Sequence, residues 1–305
     1  MTRVCVVLSG SGVYDGAELH ESVLTLLALD EAGAEVVMTA PRGPQMHVVN
    51  HLTGEVAEGE SRDILVESAR VARGAITPLD ELNLDEVDAV VFPGGFGVAK
   101  NLCDFAVKGP DCEINAEVRD MLLSARDRGL PLGFACISPA LAAAVFRSGV
   151  LTVGSDEDPA AGGVRALGAE HVACEVDGVV VDADRRVVST PAYMRETTLK
   201  SLRTGLKMMV DQVMSWALES SQAQALSQLE GWSLDARSLT KTWRFEGDQA
   251  PLEWTQRVWS LAQERQHHPD LSLSYGEVTI KLTTHDQGGL SEADFALAAA
   301  IDELG

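Results

Sequence analysis

The sequence predicts two domains of different class: a parallel, doubly wound α/β sheet, followed by a smaller α+β domain with an antiparallel sheet. Short apolar runs alternate with helical patterns up to about residue 218. Tryptophan occurs once before residue 220 and four times after it, and residues 220–225 are polar and small. We therefore predict domains at 1–219 and 226–305, joined by a linker at 220–225.

In the first domain, continuous apolar runs predict parallel strands that helices cover on both faces. The predicted strands are Val4–Leu8, Glu35–Thr39, Ala89–Phe92 and Leu132–Ala135. The helical patterns between them are Glu18–Ala32, Asp63–Arg73 and Ile114–Arg128. In such a sheet the functional site lies at the carboxyl ends of the strands.

The second domain combines alternating strands with amphipathic helices, which predicts helices on one face of an antiparallel sheet. The predicted elements are a helix at Ala223–Leu229, a strand at Leu239–Phe245, a helix at Leu252–Gln266, a strand at Leu273–Thr283 and a helix from Ser291. In the second strand the core face is Val278, Ile280 and Leu282, and the polar face is Thr279, Lys281, Thr283 and His285. Ser291 with Asp294 resembles a capping box, so we interpret Asp294 as structural.

Composition narrows the partners and the compartment. A net charge of -22 would repel nucleic acid and anionic membranes, so a small-molecule ligand is predicted. The N-terminus enters a strand pattern directly, without the apolar run of a signal peptide or membrane span, and a cytoplasmic protein is expected. The five cysteines show no C-x-x-C spacing, which argues against disulfides and a structural zinc.

A cysteine at the end of a predicted strand is the first candidate site. Cys136 lies where a strand stops and a helix starts, and a helix N-terminus favours the thiolate. Glu21, on the helix after the first glycine loop, could hydrogen-bond the sulfur or carry its proton. Pro93–Gly97 could bring backbone amides close to a ligand. The alternative is a small apolar cysteine packed at a strand end.

The segments around these residues resemble a known family. LSGSGVYDGAELHESVLTLLALDEAGAEV, VFPGGFGVAKNL and PLGFACISPA are similar to the ElbB family of the PfpI-type, class I amidotransferase-like superfamily, over nearly all of residues 1–218. The resemblance implies a flavodoxin-like sandwich with Cys136 as nucleophile, Glu21 as its partner, and glyoxalase III-like hydration of glyoxal or methylglyoxal. Many superfamily hydrolases carry histidine directly after the cysteine, whereas this chain has Ile137. That departure argues against amide transfer and proteolysis, and leaves dicarbonyl chemistry or no catalysis open.

Three histidines within residues 267–285 form the second candidate site. His267 and His268 precede Pro269 at a helix end, and His285 follows a strand pattern. Imidazole transfers protons near neutral pH, so the cluster predicts acid/base catalysis, with solvated surface histidines as the alternative. Adjacent histidines rarely bind one ion, and no cysteine or H-E-x-x-H spacing is available, so no metal is predicted.

The sequence around the histidines resembles pterin-4a-carbinolamine dehydratase along residues 226–304. LEGWSLDARSLTKTWRFEG and LAQERQHHPDLSLSYGEVTIKLTTHDQGGLSEADFALAAAIDEL carry the similarity. It implies dehydration of 4a-hydroxytetrahydropterin, such as 4a-hydroxytetrahydrobiopterin, to quinonoid dihydropterin, with no cofactor. The implied roles are proton transfer by His267 and His285, pterin binding by His268, and polar contacts from Thr283 and Thr284.

One position departs from that family. Four residues before His267 the family usually carries an acid, whereas this chain has Gln263. An amide cannot stabilise a protonated His267 as a carboxylate would, so we expect reduced activity or a shifted pH optimum. Gln263→Glu should then change the pH–rate profile.

Three functions follow from these patterns. The first is a working pterin dehydratase fused to an ElbB-like domain, which the intact histidine triad favours. The second is a glyoxalase III-like lyase at Cys136 with a vestigial dehydratase domain. The third is a non-catalytic assembly or regulatory module, because animal pterin dehydratases also serve as dimerisation cofactors of a transcription factor. The resemblances further imply a homo-oligomer and a pterin-dependent hydroxylase as partner.

Overall fold

The computed structural model describes residues 1–235, 237–285 and 289–304. These residues form two compact units, Met1–Leu218 and Glu219–Gly305, which are treated separately below. Asp286 and Gly288, which belong to the predicted dehydratase motif, lie outside the described residues. Among the described helices, none combines the length and the apolar character that a membrane span requires.

The first unit is a seven-stranded sheet with helices packed on both faces. The strands of this unit are β1 (Arg3–Val7), β2 (Glu35–Ala40), β3 (Val49–Asn50), β4 (Glu55–Val56), β5 (Thr77–Pro78), β6 (Ala89–Phe92), β7 (Leu132–Ala135), β8 (Val150–Leu151), β9 (Glu170–His171), β10 (Val180–Asp182) and β11 (Val187–Thr190). Strands β3 and β4 form a separate two-stranded sheet, and so do β8 and β9. Its helices are α1 (Leu19–Glu31), α2 (Ile64–Val71), α3 (Phe105–Lys108), α4 (Ala116–Asp127), α5 (Ser138–Phe146), α6 (Pro159–Ala166) and α7 (Leu199–Ser227). A π-helical turn lies at Val98–Leu102, and a 3-10 turn lies at Ala192–Met194.

The strand order is β10-β11-β7-β6-β1-β2-β5, and every pairing except β10 with β11 is parallel. The predicted doubly wound α/β class is therefore confirmed. Within β6, Val90 and Phe92 face one buried cluster and Val91 faces the other, which explains why this strand is apolar throughout. The chain order reverses between β1 and β6, and the crevice at their carboxyl ends is the usual ligand position in such sheets.

The predicted linker has helical structure. Helix α7 continues through residues 220–225 to Ser227, and the division into units falls within it, after Leu218. The expected non-helical break and the separate helix at Ala223–Leu229 are therefore wrong. The polar segment contains serine, glutamine and alanine but neither glycine nor proline, so nothing in it interrupts the helix.

The second unit is a four-stranded antiparallel sheet with order β12-β13-β15-β14, packed against two helices. Its elements are β12 (Ser233–Asp235), β13 (Ser238–Arg244), α8 (Gln249–Arg265), β14 (Asp270–Ser274), β15 (Glu277–Leu282) and α9 (Glu292–Asp302). The predicted α+β class is confirmed, and Val278, Ile280 and Leu282 are fully buried. The single strand predicted at Leu273–Thr283 is instead a hairpin, because Gly276 turns the chain with a φ of 73°.

Candidate functional sites

Cys136 occupies a sharp turn between a strand and a helix. Strand β7 ends at Ala135 and helix α5 begins at Ser138, which leaves two residues for the reversal. Cys136 has a φ of 62°, in the left-handed region that costs energy for a residue with a Cβ. Such strain is typical of functional sites, and this turn holds the thiol at the carboxyl edge of the sheet.

Glu21 lies beside this turn, fully buried in helix α1. Both of its carboxylate oxygens accept backbone hydrogen bonds: Oε2 from the Gly94 amide at 2.9 Å, and Oε1 from the Tyr193 amide at 3.1 Å. A Cβ at Gly94 would lie 2.2 Å from the Cys136 Cβ and 2.5 Å from Glu21 Oε2. Glycine at this position therefore allows the loop after β6 to pack against both side chains.

Burial controls the protonation of this pair. Burial raises the pKa of Glu21 to about 7, and the negative charge of Glu18 adds to the effect, while hydrogen bonds from Tyr193, Cys136 and Gly94 oppose it. Burial, and then the charge of Glu21, raise the pKa of Cys136 well above that of an ordinary thiol. The sequence-based expectation of a readily formed thiolate is therefore wrong, because desolvation outweighs the effect of the nearby backbone amides.

A cavity of about 650 Å³ opens over Cys136. Its walls come from the loops after β1 and β6, from α3, from the start of α6 and from the turn after β11. The lining residues are mainly apolar, with Phe96, Phe105, Ile137 and Met194 among them. This volume falls within the range of small-molecule binding sites.

The structure adds Tyr193 and His20, two residues that the sequence did not single out. Tyr193 lines the cavity, and its hydroxyl is 2.8 Å from His20 Nδ1. Tyr193 belongs to the segment TPAYM at residues 190–194, and only the fold brings this turn to Glu21. His171 is buried, with Nε2 accepting from the Val153 amide and Nδ1 contacting Asp156, and His51 contacts the loop amide of Tyr14.

In the second unit, His267 is paired with a buried carboxylate. His267 follows helix α8, whose end is marked by Gln266 in the left-handed conformation. Its Nε2 lies 2.8 Å from Oδ1 of Asp294, which is fully buried at the start of α9. The side chain of His267 keeps 17% of its surface exposed, so solvent can still reach the ring.

Asp294 also completes the predicted capping box. Its Oδ2 accepts hydrogen bonds from the Ser291 amide at 2.8 Å and from the Thr284 hydroxyl at 2.7 Å. A carboxylate can only accept, so Nε2 of His267 donates the hydrogen and Nδ1 is left as the proton acceptor of the neutral ring. Asp294 is therefore both a helix cap and the group that fixes the tautomer of His267. The capping pattern accounted fully for Asp294 in the sequence, which is why this second contact was missed.

The other predicted residues are placed differently. His268 is exposed, and its ring centroid lies 5.6 Å from that of Trp259. His285 is exposed directly after Thr284 and, among the described residues, makes no hydrogen bond to His267 or His268. Thr283 donates to the carbonyl of Arg237. Gln263 is exposed and, among the described residues, has no side-chain hydrogen bond to His267. The carboxylate beside His267 is that of Asp294, and the pH effect expected for Gln263→Glu stays a prediction.

Comparison with known proteins identifies the second unit. The sequence model of the family pterin 4 alpha carbinolamine dehydratase matches residues 217–304. A Chloroflexus aurantiacus chain named as a pterin-4-alpha-carbinolamine dehydratase is 44% identical over 86 residues, which are 28% of this chain and 92% of that one.

The first unit has relatives of its own. The human protein named glutamine amidotransferase-like class 1 domain-containing protein 3, mitochondrial, is 49% identical over 220 residues, covering 70% of this chain and 82% of the relative. A crystal structure titled isoprenoid biosynthesis protein with amidotransferase-like domain, from Ehrlichia chaffeensis, matches with a TM-score of 0.67 and 33% identity over 71% of this chain and 99% of that one.

The names of these relatives correct the expected compartment. The human, rat and zebrafish proteins that match the first unit are all named as mitochondrial, which contradicts a cytoplasmic localisation. The expectation rested on the lack of an apolar leader. Mitochondrial transit peptides are amphipathic and arginine-rich instead, so the lack of an apolar leader does not argue against mitochondria.

Sequence similarity and fold thus agree for each unit taken separately. The parallel sheet of the first unit matches the fold of the amidotransferase-like relative from Ehrlichia chaffeensis, and the sequence of the second unit matches the dehydratases. The chain is a fusion that belongs to the ElbB-like, amidotransferase-like family through residues 1–218 and to the pterin-4a-carbinolamine dehydratase family through residues 217–304.

Proposed function

We propose that the second unit dehydrates 4a-hydroxytetrahydropterin to quinonoid dihydropterin by histidine acid/base catalysis. The observation that carries this proposal is the hydrogen bond between His267 and the buried Asp294, which leaves Nδ1 of a partly exposed imidazole as proton acceptor. Surface histidines that serve only solubility have no need of a buried carboxylate. The family similarity supports the same reaction.

The reaction requires a proton for the departing 4a-hydroxyl and the removal of a proton from a ring nitrogen. We assign His267 and His285 to these transfers and His268 to binding the pterin beside Trp259, with whose ring it is in contact. Positioned acid/base groups of this kind accelerate reactions by about 10²–10⁴-fold. No metal or organic cofactor is part of this proposal.

Turnover of freshly generated 4a-hydroxytetrahydropterin by single variants of the full chain tests this assignment. His268→Ala should lower kcat/KM by about tenfold or more, because a ring that orients the pterin is lost. Cys136→Ala, in the other unit, should leave dehydration unchanged and is the matched control. Equal activity of His268→Ala and wild type would remove the dehydratase assignment, and a loss in Cys136→Ala would move the chemistry to the first unit.

A second candidate function is favoured by the cavity over Cys136. We propose that the thiol adds to the aldehyde carbon of an α-oxoaldehyde, with the thiol proton passing through Glu21 to the carbonyl oxygen. A proton then moves from the former aldehyde carbon to the neighbouring carbonyl carbon, and the hydroxyl proton moves to the oxygen of that carbonyl, which gives the thioester of a 2-hydroxy acid. Water releases the acid and restores the thiol, so no external oxidant is needed. The position of Cys136 in the cavity wall, with the buried Glu21 carboxyl beside it, supports this step.

A further inference from the structure

The cavity over Cys136 is large and apolar compared with the smallest α-oxoaldehydes. Glyoxal and methylglyoxal would fill only a small part of its volume of about 650 Å³. Phe96, Phe105, Pro110 and Met194 form much of the wall, so a small polar molecule would leave most of this surface without contact. A wall of this kind binds best to a ligand with an apolar body.

The charged groups of the cavity are all acidic. Glu18 and Asp158 line it, and Glu21 lies behind Cys136. Among the lining residues, all of which the structure describes, there is no lysine, arginine or histidine. A phosphate or carboxylate entering this space would meet like charges without a cation to pair with, at a cost that the low local dielectric increases.

The reactive end of the cavity has hydrogen-bond donors. The backbone N–H groups of Gly95 and Ile137 lower the pKa of the Cys136 thiol, against the larger effect of burial, and both residues also line the cavity. After addition of the thiol to a carbonyl, donors at this position can hold the new oxygen. The polar end of a ligand is therefore fixed at Cys136, and its apolar end extends toward Phe105 and Met194.

We infer that this site prefers uncharged carbonyl compounds with a sizeable apolar substituent over both anionic ones and the smallest dicarbonyls. This inference rests on the second candidate function, the addition of Cys136 to an α-oxoaldehyde, and specifies its substrate class. The carbonyl reacts at Cys136, the apolar group fills the cavity, and Glu18 with Asp158 rejects a negative charge.

Three α-oxoaldehydes with the same reactive group test the inference: methylglyoxal, phenylglyoxal and 4-carboxyphenylglyoxal. Initial rates of 2-hydroxy acid formation are measured with the full chain, and Cys136→Ser supplies the background from non-enzymatic reaction and from arginine modification. Burial of the phenyl group should raise kcat/KM about ten- to a hundredfold over methylglyoxal. The kcat/KM for 4-carboxyphenylglyoxal should be at least tenfold lower than that for phenylglyoxal. Equal kcat/KM for methylglyoxal and phenylglyoxal, or for phenylglyoxal and 4-carboxyphenylglyoxal, would overturn the inference.

Variants at the rim of the cavity test whether the cavity causes the preference for an apolar substituent. Ala106 is exposed and lines the cavity, whereas the neighbouring Val107 is 66% exposed and does not line it. Ala106→Trp should abolish the advantage of phenylglyoxal, and Val107→Trp should keep it. Asp158→Asn removes a charge but can still cap α6, where Asp158 accepts from the Ala160 amide at 2.7 Å, and should raise the rate with 4-carboxyphenylglyoxal several-fold.

A binding experiment separates the ligand class from the reaction. Ligand-detected NMR compares acetophenone with 4-acetylbenzoate on Cys136→Ser and on Cys136→Ser carrying Ala106→Trp. If no α-oxoaldehyde is turned over but acetophenone binds selectively and Ala106→Trp removes it, the proposed reaction fails and the ligand class stands. If the benzoate binds as well as the neutral ketone, or neither binds, the ligand class is wrong whatever the turnover.

Discussion

Asp294→Asn is expected to lower the dehydratase kcat about 10²-fold or more while KM changes by no more than a few-fold. The Ser291 amide and the Thr284 hydroxyl both donate to Oδ2, so the remaining amide oxygen occupies that position. The new Nδ2 then faces His267 Nε2 across the present 2.8 Å contact. Two donors cannot share a hydrogen bond, so the ring must accept with Nε2 and carry its hydrogen on Nδ1. The proton acceptor is thereby lost, as in other enzymes whose histidine is held in the wrong tautomer.

Asp302→Asn is the matched control for this variant. Asp302 lies in the same unit and accepts from Trp232 Nε1 and Lys241 Nζ, but it does not contact a histidine. Turnover at saturating substrate is compared for the two variants, with far-UV circular dichroism to show that each is folded. Wild-type kcat in Asp294→Asn, or an equal loss in Asp302→Asn, would mean that the His267–Asp294 pair is only a structural contact. Because Asp294 is fully buried, a change confined to KM would also contradict the assignment.

Glu21→Gln is expected to flatten the pH dependence of the stability of the first unit. In the folded chain Glu21 holds its proton up to about pH 7, because burial raises its pKa from the ordinary 4.5. Between these values the folded state binds more protons than the unfolded state, so stability falls as the pH rises. The contribution is fully present below pH 4.5 and lost above about pH 7, and it amounts to about 3 kcal/mol. Glutamine does not titrate, so this part of the slope should disappear.

For Glu21→Gln, the change of the free energy of unfolding with pH is a better measure than the free energy itself. The two oxygens of Glu21 accept from the amides of Gly94 and Tyr193, and the glutamine nitrogen must face one of these N–H groups. The free energy of unfolding therefore falls at low pH for a reason unrelated to titration. Glu31→Gln makes the same chemical change at the end of α1, where Glu31 pairs with Arg203, and serves as the control.

Unfolding of the first unit can be followed through Cys5. Its thiol lies in β1 with no exposed surface, so alkylation of Cys5, identified by peptide mass, reports opening of this sheet and not of the second unit. Free energies from alkylation rates between pH 4.5 and 8 give the slope for each variant. If wild type and Glu21→Gln have parallel profiles while Glu31→Gln also matches them, Glu21 does not hold a proton near neutrality.

The sequence alone predicted the elements that form through local and periodic patterns. Continuous apolar runs located β6 and β7 to the residue, because a strand buried on both faces has no polar positions. The strand predicted from alternation at residues 273–283 does not match the structure, in which two strands cover these residues. The prediction treats residues 273–283 as one alternating segment, but the apolar positions shift at Gly276 from Leu273 and Tyr275 to Val278, Ile280 and Leu282, and the chain reverses at this glycine.

In the candidate sites too, the sequence predicted some residues correctly and missed contacts that depend on the tertiary structure. Cys136 and Glu21 were singled out because each follows a strand or loop signal and a family motif, and the structure places them together. Asp294 was interpreted as a cap and Gln263 as a missing acid, since sequence spacing relates residues along one helix but not across two elements. The contact of Asp294 with His267 joins the start of α9 to the end of α8, which the packing of the helices on the sheet decides.

The sequence by itself determined the two fold classes and the families, and it predicted which residues transfer protons or add to carbonyls, since these depend on local pattern and side-chain chemistry. The tertiary structure decided the protonation of the Cys136–Glu21 pair, the tautomer of His267 and the shape and charge of the cavity. Each of these depends on desolvation or on hydrogen bonds between residues far apart in the chain, and no periodicity or spacing in the sequence encodes such distances.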